Sequence, residues 1–82
     1  MRHRATASFW RYYDDLPDPV RRLADKNFAL LKQDPRHPSL HFKKVSGSVR
    51  IGREHRALGL AGDGEVSWFW IGDHAGYERL IA

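Results

Sequence analysis

An Asp-Gly pair at positions 63 and 64 separates LGLAG at 58–62 from EVSWFWI at 65–71. Two-residue hairpin turns of type I′ need positive φ at both central positions, which glycine adopts freely and aspartate tolerates. Such a turn sets Gly62 opposite Glu65 and fixes the pairing outward from there. One face then joins Ala61 to Val66, Gly59 to Trp68 and Ala57 to Trp70, so each bulky side chain meets a small one. The other face joins Leu60 to Ser67, Leu58 to Phe69 and Arg56 to Ile71. Arg56 is thus in phase with two leucines, and a charge in that phase belongs at a sheet end or on a face that is not wholly dry. On this register Trp68 and Trp70 are core residues and not a stacking platform for single strands.

Prolines and glycines divide the rest of the chain. Ser8 is placed to cap a short helix carrying Phe9, Tyr12 or Tyr13, and Leu16, which stops before Pro17. A second helix starts with Asp18 as cap and Pro19 in its first position. It carries Val20, Leu23, Ala24, Phe28 and Leu31 along one side and ends at Asp34, before Pro35. The short link between them favours an antiparallel pair. Strand texture follows at Leu40–Val45 and Val49–Arg53, around a Ser46-Gly47-Ser48 turn. From Asp73 to Ala82 the pattern is a short helix anchored by Leu80 and Ile81, weakened by Gly76. The expected class is α+β: an N-terminal antiparallel helix pair on an antiparallel sheet of about four strands, then a short C-terminal helix.

At 82 residues the chain is read as a single domain spanning 1–82. Its 14 Lys and Arg against 10 Asp and Glu give a net charge of +4, a modest bias toward polyanions. With no cysteine there is no disulfide, thiolate nucleophile or Cys-based zinc site. His37 and His41 have a helical metal-ligand spacing, but Pro38 lies between them, so no metal or cofactor is expected. No apolar run reaches the roughly 20 residues of a membrane span, and MRHR at the start leads into no signal-type stretch. A cytoplasmic location is the expectation.

The order of these pieces is informative. A helix pair, DPRHPSLHFKKV, a turn, SVRIGREHRAL, a hairpin and WFWIGDHAGYERL together resemble the RelE/ParE superfamily of toxins from type II toxin–antitoxin modules. The resemblance runs from about Phe9 to Ile81 and rests on combined order and spacing. It implies a small basic toxin held inactive by an acidic cognate antitoxin in a hetero-oligomer. Relatives of the RelE type cleave mRNA in the ribosomal A site. Those of the ParE type inhibit DNA gyrase without RNase residues, and an inactive antitoxin-binding remnant is a further alternative, so the fold leaves the activity open.

RNA cleavage without a metal needs a base for the ribose 2′-OH, cations around the phosphorane and an acid for the leaving oxygen. The resemblance aligns Arg56 with the arginine of the RelE-like third strand, where a guanidinium can grip two phosphate oxygens. The alternative for Arg56 is an ion pair with Glu54 or Asp73. His74, directly after Ile71-Gly72-Asp73, falls where RelE-like toxins carry a catalytic Arg or His, and Tyr77 lies one helical turn on, suited to stacking or proton transfer. The alternative is that Tyr77 packs on the sheet and His74 caps its own turn.

Arg50 and Arg53, three apart in a strand, are expected on opposite faces, with Arg50 sharing the site of Arg56. Lys43, Lys44, Arg53 and His55 are candidate RNA contacts, although a Lys pair on an edge strand can instead discourage edge-to-edge association. His55 stands where many relatives have Tyr, and Val49 and Arg50 stand where RelE-like enzymes often carry lysines.

Overall fold

The computed structural model describes residues 2–40 and 48–81. Along the chain these form β1 (Arg2–Ala5), α1 (Ala7–Asp14), α2 (Asp18–Gln33), a 3₁₀ turn (Pro38–Leu40), β2 (Ser48–Ile51), β3 (His55–Gly62), β4 (Glu65–Asp73) and α3 (His74–Ile81). The four strands lie in the order β1-β4-β3-β2. The class is α+β as expected, but the sheet is mixed: β2, β3 and β4 are antiparallel, while β1 runs parallel to β4. β1 has no counterpart in the sequence reading, because RHRA lacks the branched and aromatic residues that mark strands. Most of the expected strand Leu40–Val45 and the Ser46-Gly47 turn lie outside the described residues; Leu40 itself closes the 3₁₀ turn and is fully buried.

The Asp-Gly turn forms as its chemistry requires, with φ of 45° at Asp63 and 75° at Gly64. The expected pairing holds from Gly62 opposite Glu65 to Gly59 opposite Trp68, and then changes. Leu58 faces Trp70, Ala57 faces Ile71 and Arg56 faces Gly72, so Phe69 is an extra residue in β4, a β-bulge. The Ser8 hydroxyl of α1 donates to the Phe69 carbonyl at 3.2 Å, which satisfies a group that a bulge takes out of the ladder. Beyond the bulge the phase of β4 is reversed. Ile71 replaces Trp70 on the core face, and Trp70 turns to the other side, buried but outside the main core.

The core face carries Val49, Ile51, Ala57, Val66, Trp68 and Ile71, against Leu16, Ala24 and Leu31. On α2 the expected stripe is inward except at Phe28, which is 40% exposed. Asn27 fills the gap in that stripe, buried and donating its side-chain amide to the Arg50 carbonyl at 3.2 Å. The helix starts one residue before the expected position, and Asp18 pairs with Arg21 in its first turn instead of capping. In α1 the cap is Thr6, whose hydroxyl accepts from the Phe9 amide at 3.2 Å, so that Ser8 serves the bulge instead. Leu80 is 47% exposed and anchors nothing; Tyr77 holds α3 to the sheet, and the Ile81 side chain lies outside the described set.

His3 joins β1 to the core. The Trp68 indole N–H donates to its Nδ1 at 3.1 Å, which requires that nitrogen to be unprotonated. Burial first, then positive charge including Lys32, holds the His3 pKa below its ordinary 6.5. The unfolded chain therefore takes up this proton before the folded one does. The stabilisation is complete above pH 6.5 and is lost as pH falls through that value toward the lower folded pKa. Urea unfolding followed by tryptophan fluorescence should show a larger drop in midpoint from about pH 7.5 to about pH 5 for the wild type than for His3→Asn, which keeps an acceptor but does not titrate; equal drops would refute it.

A second prediction concerns the bulge. A Cβ at Gly59 would lie 2.8 Å from Val66 Cγ1 and 3.0 Å from the Ser67 carbonyl oxygen, and Val66 is fully buried. Gly59→Ala should therefore destabilise by about 1–3 kcal/mol despite the lower flexibility of alanine in the unfolded chain, measurable as a shift in urea midpoint.

Candidate functional site

β2 ends at Ile51 because Gly52 turns the chain at φ 65°, a conformation costly for any residue with a Cβ. Arg53 is therefore in the β2–β3 turn. This corrects the expectation that Arg53 continues the strand and projects away from Arg50. Both arginines line one cavity of about 270 Å³, with Ser48, Glu54, His55, Arg56 and His74. Arg50 and Arg56 are directly opposite each other in the β2–β3 register. Like charges in that position destabilise a strand pair, and an anion between them reverses the sign of the interaction.

α3 delivers the remaining groups. The Asp73 carboxylate caps it by accepting from the Gly76 amide at 2.7 Å, and the His74 amide donates to the Glu54 carbonyl at 2.8 Å. These bonds tie the start of α3 to the β2–β3 turn and set His74 at the cavity wall. One turn along, the Glu78 carboxylate lies 2.9 Å from His74 Nε2, both side chains being largely exposed. A proton on Nε2 donated to Glu78 leaves Nδ1 as the nitrogen that can exchange a proton with a bound molecule. The Tyr77 ring lies 6.4 Å from that of His74 at an interplanar angle of 28°. The Arg56 guanidinium sits over Tyr77, 4.7 Å from its centroid. Among the described residues Arg56 pairs with neither Glu54 nor Asp73, so the ion-pair alternative is not the one realised.

Trp70 supports this group from below. Its ring centroid is 6.4 Å from that of Tyr77 and 6.2 Å from that of Tyr12 of α1. Glycines make room for the indole: a Cβ at Gly72 would lie 2.6 Å from Trp70 Cζ2, and one at Gly76 3.2 Å. The bulge at Phe69 is what brings Trp70 to this face.

Of the expected residues, Arg50, Arg56, His74 and Tyr77 thus meet at one end of the outer sheet face, with Arg53 and His55 at the same cavity. Lys43, Lys44 and His41 lie outside the described residues. Among the described residues no three His, Cys, Asp or Glu side chains gather as a metal site, and no helix is long and apolar enough to cross a membrane. Sequence reasoning misses Glu78 and Trp70. Glu78 is readable from its four-residue spacing to His74 on a helix, whereas Trp70 falls to the core because nothing in EVSWFWI marks Phe69 as the bulge. A second cavity, of about 300 Å³, lies between the helices and the core face. It is walled by rings including Phe9, Tyr13, Phe28 and Trp68; its carboxylate, Asp25, accepts from the Tyr13 hydroxyl at 2.8 Å. It offers no opposed pair of cations.

Two solved structures share this architecture. A chain of the intact Escherichia coli RelBE toxin–antitoxin complex superposes with a TM-score of 0.63 at 14% identity, over 88% of this chain and 94% of that one. A copper-bound mutant toxin from Helicobacter pylori superposes with a TM-score of 0.60 at 20% identity, over 93% of this chain and 97% of that one. Neither a protein-family model nor a curated relative matches the sequence. The chain shares its fold with these two structures, in line with the resemblance that the order of motifs carries.

If the cavity is where the molecule holds anions, its arginines should dominate the salt dependence of binding to a single-stranded oligonucleotide. Arg50→Gln and Arg56→Gln should each lower the slope of log K against log salt by roughly 0.7, the value for one phosphate contact on a single strand. Slopes unchanged in both variants, measured by fluorescence anisotropy, would place the anion elsewhere.

Proposed function

We propose that this chain is the toxin of a toxin–antitoxin pair and acts as an endoribonuclease on mRNA, halting translation. The observation that carries the reading is the convergence of Arg50, Arg56 and His74, from three separate elements, on one cationic cavity, with the Tyr77 ring against Arg56 and His74. A phosphodiester between the two guanidiniums has the charge of its crowded transition state offset by both. Tyr77 offers a face on which an unstacked base rests beside His74.

The chemistry is a transfer of phosphorus between oxygens of the same strand. The ribose 2′-oxygen attacks phosphorus and gives up its proton to a base. The bond to the 5′-oxygen breaks, and that oxygen takes a proton from an acid, leaving a 2′,3′-cyclic phosphate and a 5′-hydroxyl. His74 serves one of these proton steps through Nδ1, with Glu78 holding the ring. Tyr77 positions the base. The partner is an acidic antitoxin whose carboxylates cover the same cations, and the substrate is mRNA presented by the ribosome in the cytoplasm. The likeness in fold to a chain of a toxin–antitoxin complex supports the toxin reading.

The test is primer extension on a reporter mRNA in a cell-free translation reaction, with wild type and His74→Ala. Discrete cuts within translated codons, reduced at least about 100-fold in the variant as expected for loss of a general acid or base, support the proposal. Translation arrest without cuts, or cutting that survives in His74→Ala, defeats the nuclease assignment and directs attention to inhibition by binding alone.

A further inference from the structure

Tyr77 borders the cationic cavity through its contacts with Arg56 and His74. A row of rings continues from it across the outer sheet face: His74 to Tyr77 at 6.4 Å, Tyr77 to Trp70 at 6.4 Å, and Trp70 to Tyr12 at 6.2 Å. The row crosses from α3 through β4 to α1. Trp70, in the middle, is only 5% exposed, whereas Tyr12 at the far end is 43% exposed. The row therefore joins a half-buried ring, Tyr77, and an exposed one, Tyr12, through a buried one. Arg11, exposed, precedes Tyr12 on α1.

We infer that Tyr12 is a second base-stacking position, so that the site takes a single-stranded RNA segment of several nucleotides, with one base at Tyr77 and another at Tyr12. The inference rests on the RNA reading above and adds to it the extent and direction of the bound strand. Each ring-to-ring step is about twice the ~3.4 Å rise of a stacked strand, so a strand laid along the row is unstacked, as single-strand binders require. Tyr12 and Tyr77 each contact Trp70 and are not in ring contact with each other, so a base seated at Tyr77 beside the arginines leaves Tyr12 to another base. A protein partner would also find rings here, but the row begins at a cavity with Arg50, Arg53 and Arg56 in its wall, the charge pattern of a phosphate backbone entering a stacking groove.

The test compares two lengths of one probe, fluorescein-labelled oligoadenylate as a dimer and as a hexamer, by anisotropy at fixed salt. Stacking on an aromatic contributes about 1–3 kcal/mol per base, so Tyr12→Ala should weaken the hexamer roughly 5- to 100-fold and leave the dimer unchanged. Tyr12→Phe, which keeps the ring, should bind both as the wild type does and guards against a folding defect. Arg56→Gln should weaken both lengths. Hexamer binding unaffected in Tyr12→Ala but weakened in Arg56→Gln overturns the second position while the cationic site stands. Equal losses for both lengths in Tyr12→Ala also overturn it, showing that Tyr12 acts only by packing on Trp70. A wild type that binds neither length removes the RNA reading itself and gives the row to a protein partner.

Discussion

One extra residue in β4 decides what each face of this sheet does. Without the bulge at Phe69, the alternation of EVSWFWI would put Val66, Trp68 and Trp70 together in the core and leave the outer face to Ser67, Phe69 and Ile71. With it, Ile71 completes the core and Trp70 becomes the floor of an outward group. The bulge is itself secured from another element, by the Ser8 hydroxyl on the Phe69 carbonyl. That bond holds α1 beside β4, where Tyr12 can cover Trp70. The glycines serve the same arrangement, Gly59 where the register slips and Gly72 and Gly76 where the indole lies against the backbone.

The site that results is costly to the fold in a way that suits a ligand. Two arginines face each other across a strand pair, a third occupies the adjoining turn, and one guanidinium rests on an aromatic ring. A stability-driven sequence would place opposite charges or branched residues at a cross-strand pair. Here two arginines are opposed next to an imidazole whose Nε2 lies 2.9 Å from a carboxylate. Like charges opposed across a strand pair, with a third cation at the same cavity, are what a site for an external anion looks like.

Much of this is legible in the sequence, for identifiable reasons. The Asp63-Gly64 turn and the pairing out to Gly59 and Trp68 follow from backbone preference and side-chain size, both local properties. The phase of Arg56 with Leu58 and Leu60 points to a wet face, and Leu60 is indeed 72% exposed there. What is not legible depends on long-range partners. β1 becomes a strand because β4 offers an edge and Trp68 an N–H for His3, neither of which RHRA reveals. The bulge needs Ser8, which is 61 residues away in sequence from its partner. Arg53 is misplaced by a reading that keeps Gly52 within a strand, when Gly52 is the turn that ends it. The three expected helices form, and the expected antiparallel sheet is mixed because β1 joins β4 in parallel.

α3 has eight residues, well short of the ~12–15 at which an isolated helix is even marginal in water. Its helicity is borrowed from the sheet through the Asp73 cap, the His74 amide on Glu54 and the contacts of the Tyr77 ring with Trp70 and Arg56. Small domains open in parts, at free energies well below that of global unfolding, and a short segment with few anchors belongs to the part that opens first. The arginines lie on the hairpin and the imidazole on this segment, so the constellation is split between two cooperative units. Undocking α3 would remove His74 and Tyr77 together while the β-hairpins and core stay intact, so the lifetime of the assembled site is set by this helix and not by the stability of the whole molecule.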